Sequence, residues 1–164
     1  MGPEKMQPFI VETINVFSSL LGVTLRETRI ESKDMPQGTF EVSAVIGLSG
    51  SWTGTLVLSC PQNVACRIIS RMVREPVETL DADISDGMGE LVNILAGNAC
   101  RHLTELGGRS VSLTVPTVIV GHHRIVWRSR DLPCLMMRFF DSDLGPLCIE
   151  VNLHATAGGP GEAP

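Results

Sequence analysis

Three polar side chains, Asp86, Glu90 and Asn93, combine residue types and a spacing that favour chemistry. They follow one another at steps of four and three, so in a helix they share a face and their head groups converge within reach of one partner. Two are carboxylates, which pair with cations, and the third is an amide, which both donates and accepts hydrogen bonds. The pattern therefore directs two negative charges and one donor–acceptor group at the same partner.

Two more residues extend this pattern. Gly97 lies on the same helical stripe one turn after Asn93, although a glycine inside a helix costs about 1 kcal/mol relative to alanine. Either a partner's backbone approaches there or the chain's own strands do, and the sequence leaves both explanations open. Pro116 follows Asn93 by 23 residues. The whole combination, Asp-x3-Glu-x2-Asn-x22-Pro, would arise by chance in roughly a few chains per thousand.

A long helix must position these side chains. Its other face is apolar at helical spacing, through Met88, Leu91, Val92, Leu95, Ala99 and Leu103. Asp81 or Asp83 is expected to cap this helix, and Gly107-Gly108 to end it after Leu106, which gives about 24 residues. The polar stripe, which continues through Arg101 and Thr104, is predicted to face away from the core.

The rest of the chain predicts an α+β fold with an antiparallel sheet. A helix from Phe9 to Leu21 is stopped by Gly22, and a second helix begins at Pro61. Strands are expected over 24–32, 40–48, 55–59, 111–115, 117–120, 135–140 and 147–153. Helices and strands come in blocks, which indicates two halves, each a helix leading into antiparallel strands. Residues 1–154 should form a single domain and residues 155–164 a disordered tail.

Composition argues against several classes of function. The 164 residues carry a net charge of −5, which argues against a nucleic-acid partner. No apolar run reaches the ~18 residues of a membrane span and no signal-peptide core is visible, so a cytoplasmic protein without a membrane partner is expected. The five cysteines include no C-x-x-C pair, and His122-His123 lacks further ligands at helical spacing, so no metal site is indicated. The basic segment His122–Arg130 is either a contact patch or a solvated hairpin.

The chain resembles the CheC/CheX/FliY family of bacterial chemotaxis phosphatases, and within it the CheX branch most closely. The segments that carry the resemblance are Gly89–Gly97, Val111–Gly121 and Gly54–Ser59, and it extends from about Pro8 to Leu153. It implies a CheC-like fold, in which two pseudo-symmetric halves of helix and antiparallel strands surround one sheet with a long central helix.

The resemblance also implies an activity, hydrolysis of the aspartyl phosphate of a CheY-type response regulator in chemotaxis signalling. The receiver domain holds its phosphoryl group beside Mg²⁺ and a Lys, so this chain would need no cofactor of its own and would supply positioning. Glu90 and Asn93 would be the catalytic pair, Glu90 pairing with the receiver's Lys and Asn93 orienting the attacking water. Asp86 and Gly97 would serve binding, with Asp86 either docking the partner or complementing the helix dipole.

Two other functions remain open for the same fold. One is a module that binds a receiver without hydrolysing it, and the other is a structural part of the flagellar switch. A homodimer is also expected, because CheX-like relatives continue the sheet across subunits. The apolar strand from Leu147 to Leu153 would need its edges covered by such a partner.

A second Glu-x-x-Asn copy, Glu12 and Asn15 in the first helix, is expected to be inactive. The family pattern has Asp or Ser four residues before the Glu, where this chain has Pro8, and Gly38 stands in place of the distal proline. Both polar residues are predicted to lie on the exposed face of their helix. Replacing them should therefore change the stability by no more than ~0.5 kcal/mol.

Overall fold

The computed structural model describes residues 6–33, 40–80, 82–105, 110–122 and 134–156. Within these ranges the chain forms three helices and seven strands. They are α1 Gln7–Leu21, β1 Arg26–Lys33, β2 Val42–Gly50, β3 Trp52–Cys60, α2 Gln62–Val73, α3 Ala82–Glu105, β4 Val111–Leu113, β5 Thr117–Val120, β6 Cys134–Asp141 and β7 Gly145–Ala155. Every strand pairing is antiparallel, which confirms the predicted α+β class.

The sheet interlocks the two halves of the chain. Its order is β1-β6-β7-β3-β2-β4, and β5 also pairs with β2 beside β4. The hairpins β2–β3 and β6–β7 meet at the centre through the β3–β7 pairing. The first strand of each half crosses to the other half's hairpin, because β1 pairs with β6 while β4 and β5 pair with β2. The predicted pseudo-symmetry of two helix-plus-strand halves is thus confirmed, with the added feature that each half completes the other's sheet.

The position of β7 corrects one argument made from the sequence. Leu147 to Leu153 were expected to need a second subunit to cover their edges, but β7 lies inside the sheet between β6 and β3. Its apolar side chains alternate along the strand and pack into the core on one face of the sheet, so they do not mark an exposed edge. Among the described strands, the sheet ends at β1 on one side and at β4 and β5 on the other. The homodimer stays a prediction, and sedimentation showing only a monomer at micromolar concentration would contradict it.

The helices cover one face of the sheet and enclose the core between them. Alternating residues of β2, β3, β6 and β7 share this core with the apolar faces of α1, α2 and α3. The predicted inner face of α3 is buried along its length, from Met88 to Leu103. Helix α1 ends where Gly22 takes the left-handed conformation, with φ of 65°, and its N–H donates to carbonyls of the last turn. The burial of the residues from Met88 to Leu103 confirms the core face of α3 that helical periodicity predicted.

The ends of two predicted segments differ slightly from expectation or lie outside the described residues. Strand β7 reaches Ala155, and the N–H of Thr156 donates to the carbonyl of Ser51 at 3.1 Å. The predicted start of the tail, at residue 155, is therefore too early. The proposed cap Asp81, the Gly107-Gly108 stop, residues 123–130 of the basic segment and residues 157–164 lie outside the described part of the chain. None of the helices in the described ranges is long and apolar enough to cross a membrane.

Candidate functional site

An open groove of about 630 Å³ runs between the first half of α3 and the corner that joins β4 to β5. Helix α3 forms one wall, and the corner Thr114–Pro116 forms the other. The residues that line the groove are Ser85, Asp86, Gly89, Glu90, Asn93, Leu113, Thr114, Val115, Pro116 and Val118. The groove therefore unites the polar stripe predicted on the helix with the distal proline of the sequence pattern.

The three polar residues of the pattern lie side by side in this groove. Asp86 and Glu90 are exposed, and Asn93 is half-buried. They are held in place because Met88, Leu91 and Val92 on the other side of the helix are fully buried. Within the described residues, the carboxylates of Asp86 and Glu90 form no hydrogen bond or ion pair. Both negative charges are therefore available to a partner's cation.

Pro116 enters the site through the fold of the sheet. The β4–β5 corner turns back over α3, so a methyl group placed on Gly89 would lie 3.6 Å from Cγ of Pro116. Proline lacks the N–H that the ladder with β2 would use, which suits it to this interruption between two short strands. The spacing of 23 residues from Asn93 thus corresponds to the rest of α3 and the return of the chain along β4.

Gly97 lies further along α3 and outside the groove lining. Among the described residues, a Cβ atom at this position would meet only Cδ1 of Leu113, at 4.0 Å, which is an ordinary contact. Packing against the chain's own strands therefore does not require glycine. Of the two explanations left open by the sequence, this geometry does not support close packing against the described strands, and the approach of a partner stays a prediction.

The position of Glu12 contradicts the prediction that both polar residues of the first helix are exposed. Its side chain is only 7% exposed, and its Oε1 lies 3.4 Å from Nδ1 of His102 on α3. Asn15 is exposed as predicted. The apolar residues of α1 mark the side that faces the sheet, but α3 packs along its flank and extends the buried arc to Glu12 and Thr13. The buried hydroxyl of Thr13 donates a hydrogen bond to the carbonyl of Phe9 in the same helix, at 2.6 Å.

The structure also reveals a residue that the sequence pattern did not identify. Val115 was expected to end an alternating strand, yet β4 ends at Leu113 and Val115 stands on the corner beside the groove. This residue is 88% exposed. The only sequence signal was the neighbouring Pro116, which interrupts the strand pattern but does not show in which direction Val115 points.

Two observations on the described residues concern metal and thiol chemistry. No group of three or more His, Cys, Asp or Glu gathers there as a possible metal site. Burial raises the pKa of the Cys100 thiol on α3 to about 11, so this cysteine is protonated at neutral pH and is a poor nucleophile. The exposed carboxylates of the groove can pair with cations, and the amide of Asn93 can both donate and accept hydrogen bonds.

Comparison with known proteins identifies a family and several relatives that this chain resembles. The model of the family "Chemotaxis phosphatase CheX" matches residues 42–140. The chain is 28% identical over 113 residues to the CheY-P phosphatase CheX of Thermotoga maritima, covering 68% of this chain and 70% of that protein. The crystal structure of CheX from Desulfovibrio desulfuricans is similar with a TM-score of 0.83 and 25% identity, covering 92% of this chain and 99% of the other.

A complex in the same fold has also been solved. In the CheX–CheY–BeF3–Mg²⁺ complex from Borrelia burgdorferi, the similar chain has a TM-score of 0.78 and 20% identity. It covers 92% of this chain and 97% of its own length, and at this identity it shows the shared fold alone. The family match spans more than half of the present chain and includes the groove with Asp86, Glu90 and Asn93. The chain therefore belongs to the CheX family of chemotaxis phosphatases.

Proposed function

We propose that the chain hydrolyses the aspartyl phosphate of a CheY-type receiver domain and that the groove along α3 is where the receiver docks. The observation that carries this proposal is the exposed Glu90, which has no partner among the described residues and lies next to Asn93 in the groove of a CheX family member. The relative from Thermotoga maritima is named a CheY-P phosphatase, and the solved complex joins a protein of this fold to CheY. Both support a phosphorylated receiver as the partner.

The reaction needs a correctly placed water molecule more than a new nucleophile. Phosphoryl transfer passes through a loose in-line transition state, in which the protein contributes mainly positioning and electrostatics. The amide of Asn93 can accept a hydrogen bond from the water through its oxygen and donate one through its nitrogen. Because an amide carries no charge, it can approach a phosphoryl group without repulsion. The half-buried position of Asn93 limits its freedom to rotate away from this task.

Glu90 would act as an anchor. A carboxylate 4 Å from a phosphoryl charge would be repelled by about 4 kcal/mol in a surface-like dielectric. Pairing with the receiver's Lys turns this cost into attraction and fixes the helix relative to the phosphoryl group. The absence of a described partner for Glu90 within its own chain supports this role.

Asp86 is assigned to docking. The helix dipole acts mainly on the first turn, and that place is taken by Asp83. Asp86 lies beyond it and lines the groove with Glu90, one turn away. Gly97, further along the same helix, would leave room for the partner's backbone. Mg²⁺ would be bound by the receiver, so no cofactor is assigned to this chain.

The decisive experiment measures phosphate release from CheY-type receivers encoded in the source genome, each loaded with acetyl phosphate and Mg²⁺. The wild-type protein should accelerate release from at least one of them. Asn93→Ala should lower kcat by about 10²-fold or more with little change in receiver affinity, as expected when an interaction is made only in the transition state. Receiver binding without accelerated release would identify a non-catalytic binding module, and near-wild-type release by Asn93→Ala would refute its assignment.

A further inference from the structure

Val115 differs from every other large apolar side chain in the described part of the chain. Its exposure of 88% compares with 43–50% for Leu20, Ile30, Val73, Val120 and Phe140, the other exposed members of this class. Scattered apolar side chains at moderate exposure are normal on protein surfaces. A nearly free valine at the rim of the candidate site is a different case, because it stands where a partner would be docked.

The strand register explains why Val115 points outward. Leu48 of β2 pairs with Leu113 of β4, and Val45 pairs with Thr117 of β5. Two residues of β2 therefore stand opposite the three residues Thr114–Pro116. This surplus of one residue is the arrangement of a β-bulge, which redirects a side chain out of the regular sheet.

The surplus residue is identified by the hydrogen bonds on either side. The N–H of Thr114 donates to the carbonyl of Gly47 at 3.0 Å, and the N–H of Gly47 donates to Oγ1 of Thr114 at 2.9 Å. Thr114 is thus paired with Gly47, while Pro116 lies against α3. Val115 lies between them, forms no pair with a residue of β2 and is therefore the bulged residue.

The corner is also rigid. Glycine at position 47 lets Thr114 pack closely on β2, because a Cβ there would lie 2.9 Å from Cγ2 of Thr114 and one of the two would have to shift. The hydroxyl of Thr114 additionally donates to the carbonyl of Val115 at 3.3 Å. Proline at 116 fixes its own φ, and the residue before a proline is restricted to extended conformations. Val115 is therefore presented in one orientation, so little conformational entropy is lost when a partner covers it.

We infer that Val115 is an apolar docking contact for the phosphorylated receiver, inserting into an apolar depression next to the receiver's phosphorylation site. The inference rests on the proposed function, because it takes its partner from there. Val115 lies on the wall of the groove opposite Glu90, so a receiver seated on the Glu90–Asn93 pair must also cover the corner. Val115 does not take part in the reaction, and its contribution is to affinity and to the choice of receiver.

The test compares Val115→Ala and Val115→Asp with Val120→Ala, a matched control. Val120 is an exposed valine of β5 at the same side of the sheet but outside the groove lining. With acetyl phosphate-loaded receiver, Val115→Ala should raise KM by about tenfold through lost apolar burial, and Val115→Asp by more, with kcat within twofold of wild type. Val120→Ala should match wild type in both constants. Equal KM values for Val115→Ala and Val120→Ala would overturn the inference.

Direct binding separates the failure of this inference from that of the proposed function. The probe is the same receiver activated with beryllofluoride and Mg²⁺, which requires no turnover. If wild type binds but releases no phosphate, the proposed hydrolysis fails, while a tenfold higher Kd for Val115→Ala still supports the docking contact. If wild type does not bind any activated receiver, both proposals fail. Circular dichroism of the variants confirms that an altered Kd or KM does not come from unfolding.

Discussion

Helices α1 and α3 occupy related places in the two halves of the molecule and carry the same Glu-x-x-Asn sequence, yet they use it differently. Glu90 projects into an open groove without a partner among the described residues. Glu12 is buried at the interface between the two helices and lies 3.4 Å from His102 of α3. The same residue type is thus available to a partner protein in one helix and has become part of the scaffold in the other.

The difference shows that exposure of a motif depends on what lies beside its helix. Along α3, the β4–β5 corner leaves a groove open over the polar stripe. Along α1, the neighbouring helix closes over the glutamate, and only Asn15 of the pair remains exposed. A match in sequence therefore does not amount to a second groove, and the expectation that α1 is inactive stays a prediction.

The largest expected effect comes from removing each pair in turn. Glu90→Ala with Asn93→Ala should lower phosphate release by at least about 10²-fold, because both docking and water positioning are lost. Glu12→Ala with Asn15→Ala should leave kcat near the wild-type value in protein that is still folded. The measurement is phosphate release under matched receiver concentrations. A loss of about half the activity in each double variant would mean that both helices are active.

The second effect concerns stability and reverses the expectation for a surface residue. Glu12→Ala should lower the free energy of unfolding by about 1 kcal/mol or more, because it removes a buried carboxylate and leaves His102 without this partner. Asn15→Ala, one turn away and exposed, should change it by no more than ~0.5 kcal/mol. Urea unfolding of the two single variants provides the comparison. Equal, small effects would show that the Glu12–His102 contact contributes nothing.

A third variant tests why α3 contains a glycine beyond its groove. Gly97→Ala should raise the free energy of unfolding by up to about 1 kcal/mol, because the helix gains propensity and a methyl group there makes only an ordinary contact with Leu113. The same change should weaken binding of the activated receiver if the partner's backbone approaches this point. Greater stability with unchanged affinity would leave the glycine without a docking role.

The smallest expected effect is on the pH dependence of stability and concerns Asp141, the last residue of β6. Its carboxylate accepts a hydrogen bond from the N–H of Thr24, between α1 and β1. Desolvation acts to raise the pKa of Asp141, but N–H donation from Leu144, Asp143 and Thr24, together with the charge of Arg71, lowers it below its ordinary value. The ionised form is therefore favoured by folding, so its contribution is present above the unfolded pKa and is lost as the pH falls through the lower, folded one. The stability difference between wild type and Asp141→Asn should shrink below about pH 4. A difference that stays constant under acid would contradict this assignment.

Much of the site could be predicted from the sequence because its geometry is local. The 3.6-residue period of α3 places Met88, Leu91 and Leu95 on one face and Asp86, Glu90 and Asn93 on the other, whatever packs around the helix. Proline and glycine residues also marked the ends of predicted strands correctly, because their effect on the backbone is local. The spacing of 23 residues between Asn93 and Pro116 marked the proline as part of the pattern, although its position over α3 could be seen only in the structure.

Three features could not be predicted from local sequence patterns. The burial of Glu12 depends on α3 lying along the flank of α1, which no periodicity within α1 records. The interior position of β7 depends on each half lending its first strand to the other's hairpin. The outward direction of Val115 depends on a register in which three residues face two. Local spacing was enough to predict the elements and the core face of α3, whereas the neighbours of each element and the strand register come from long-range pairings.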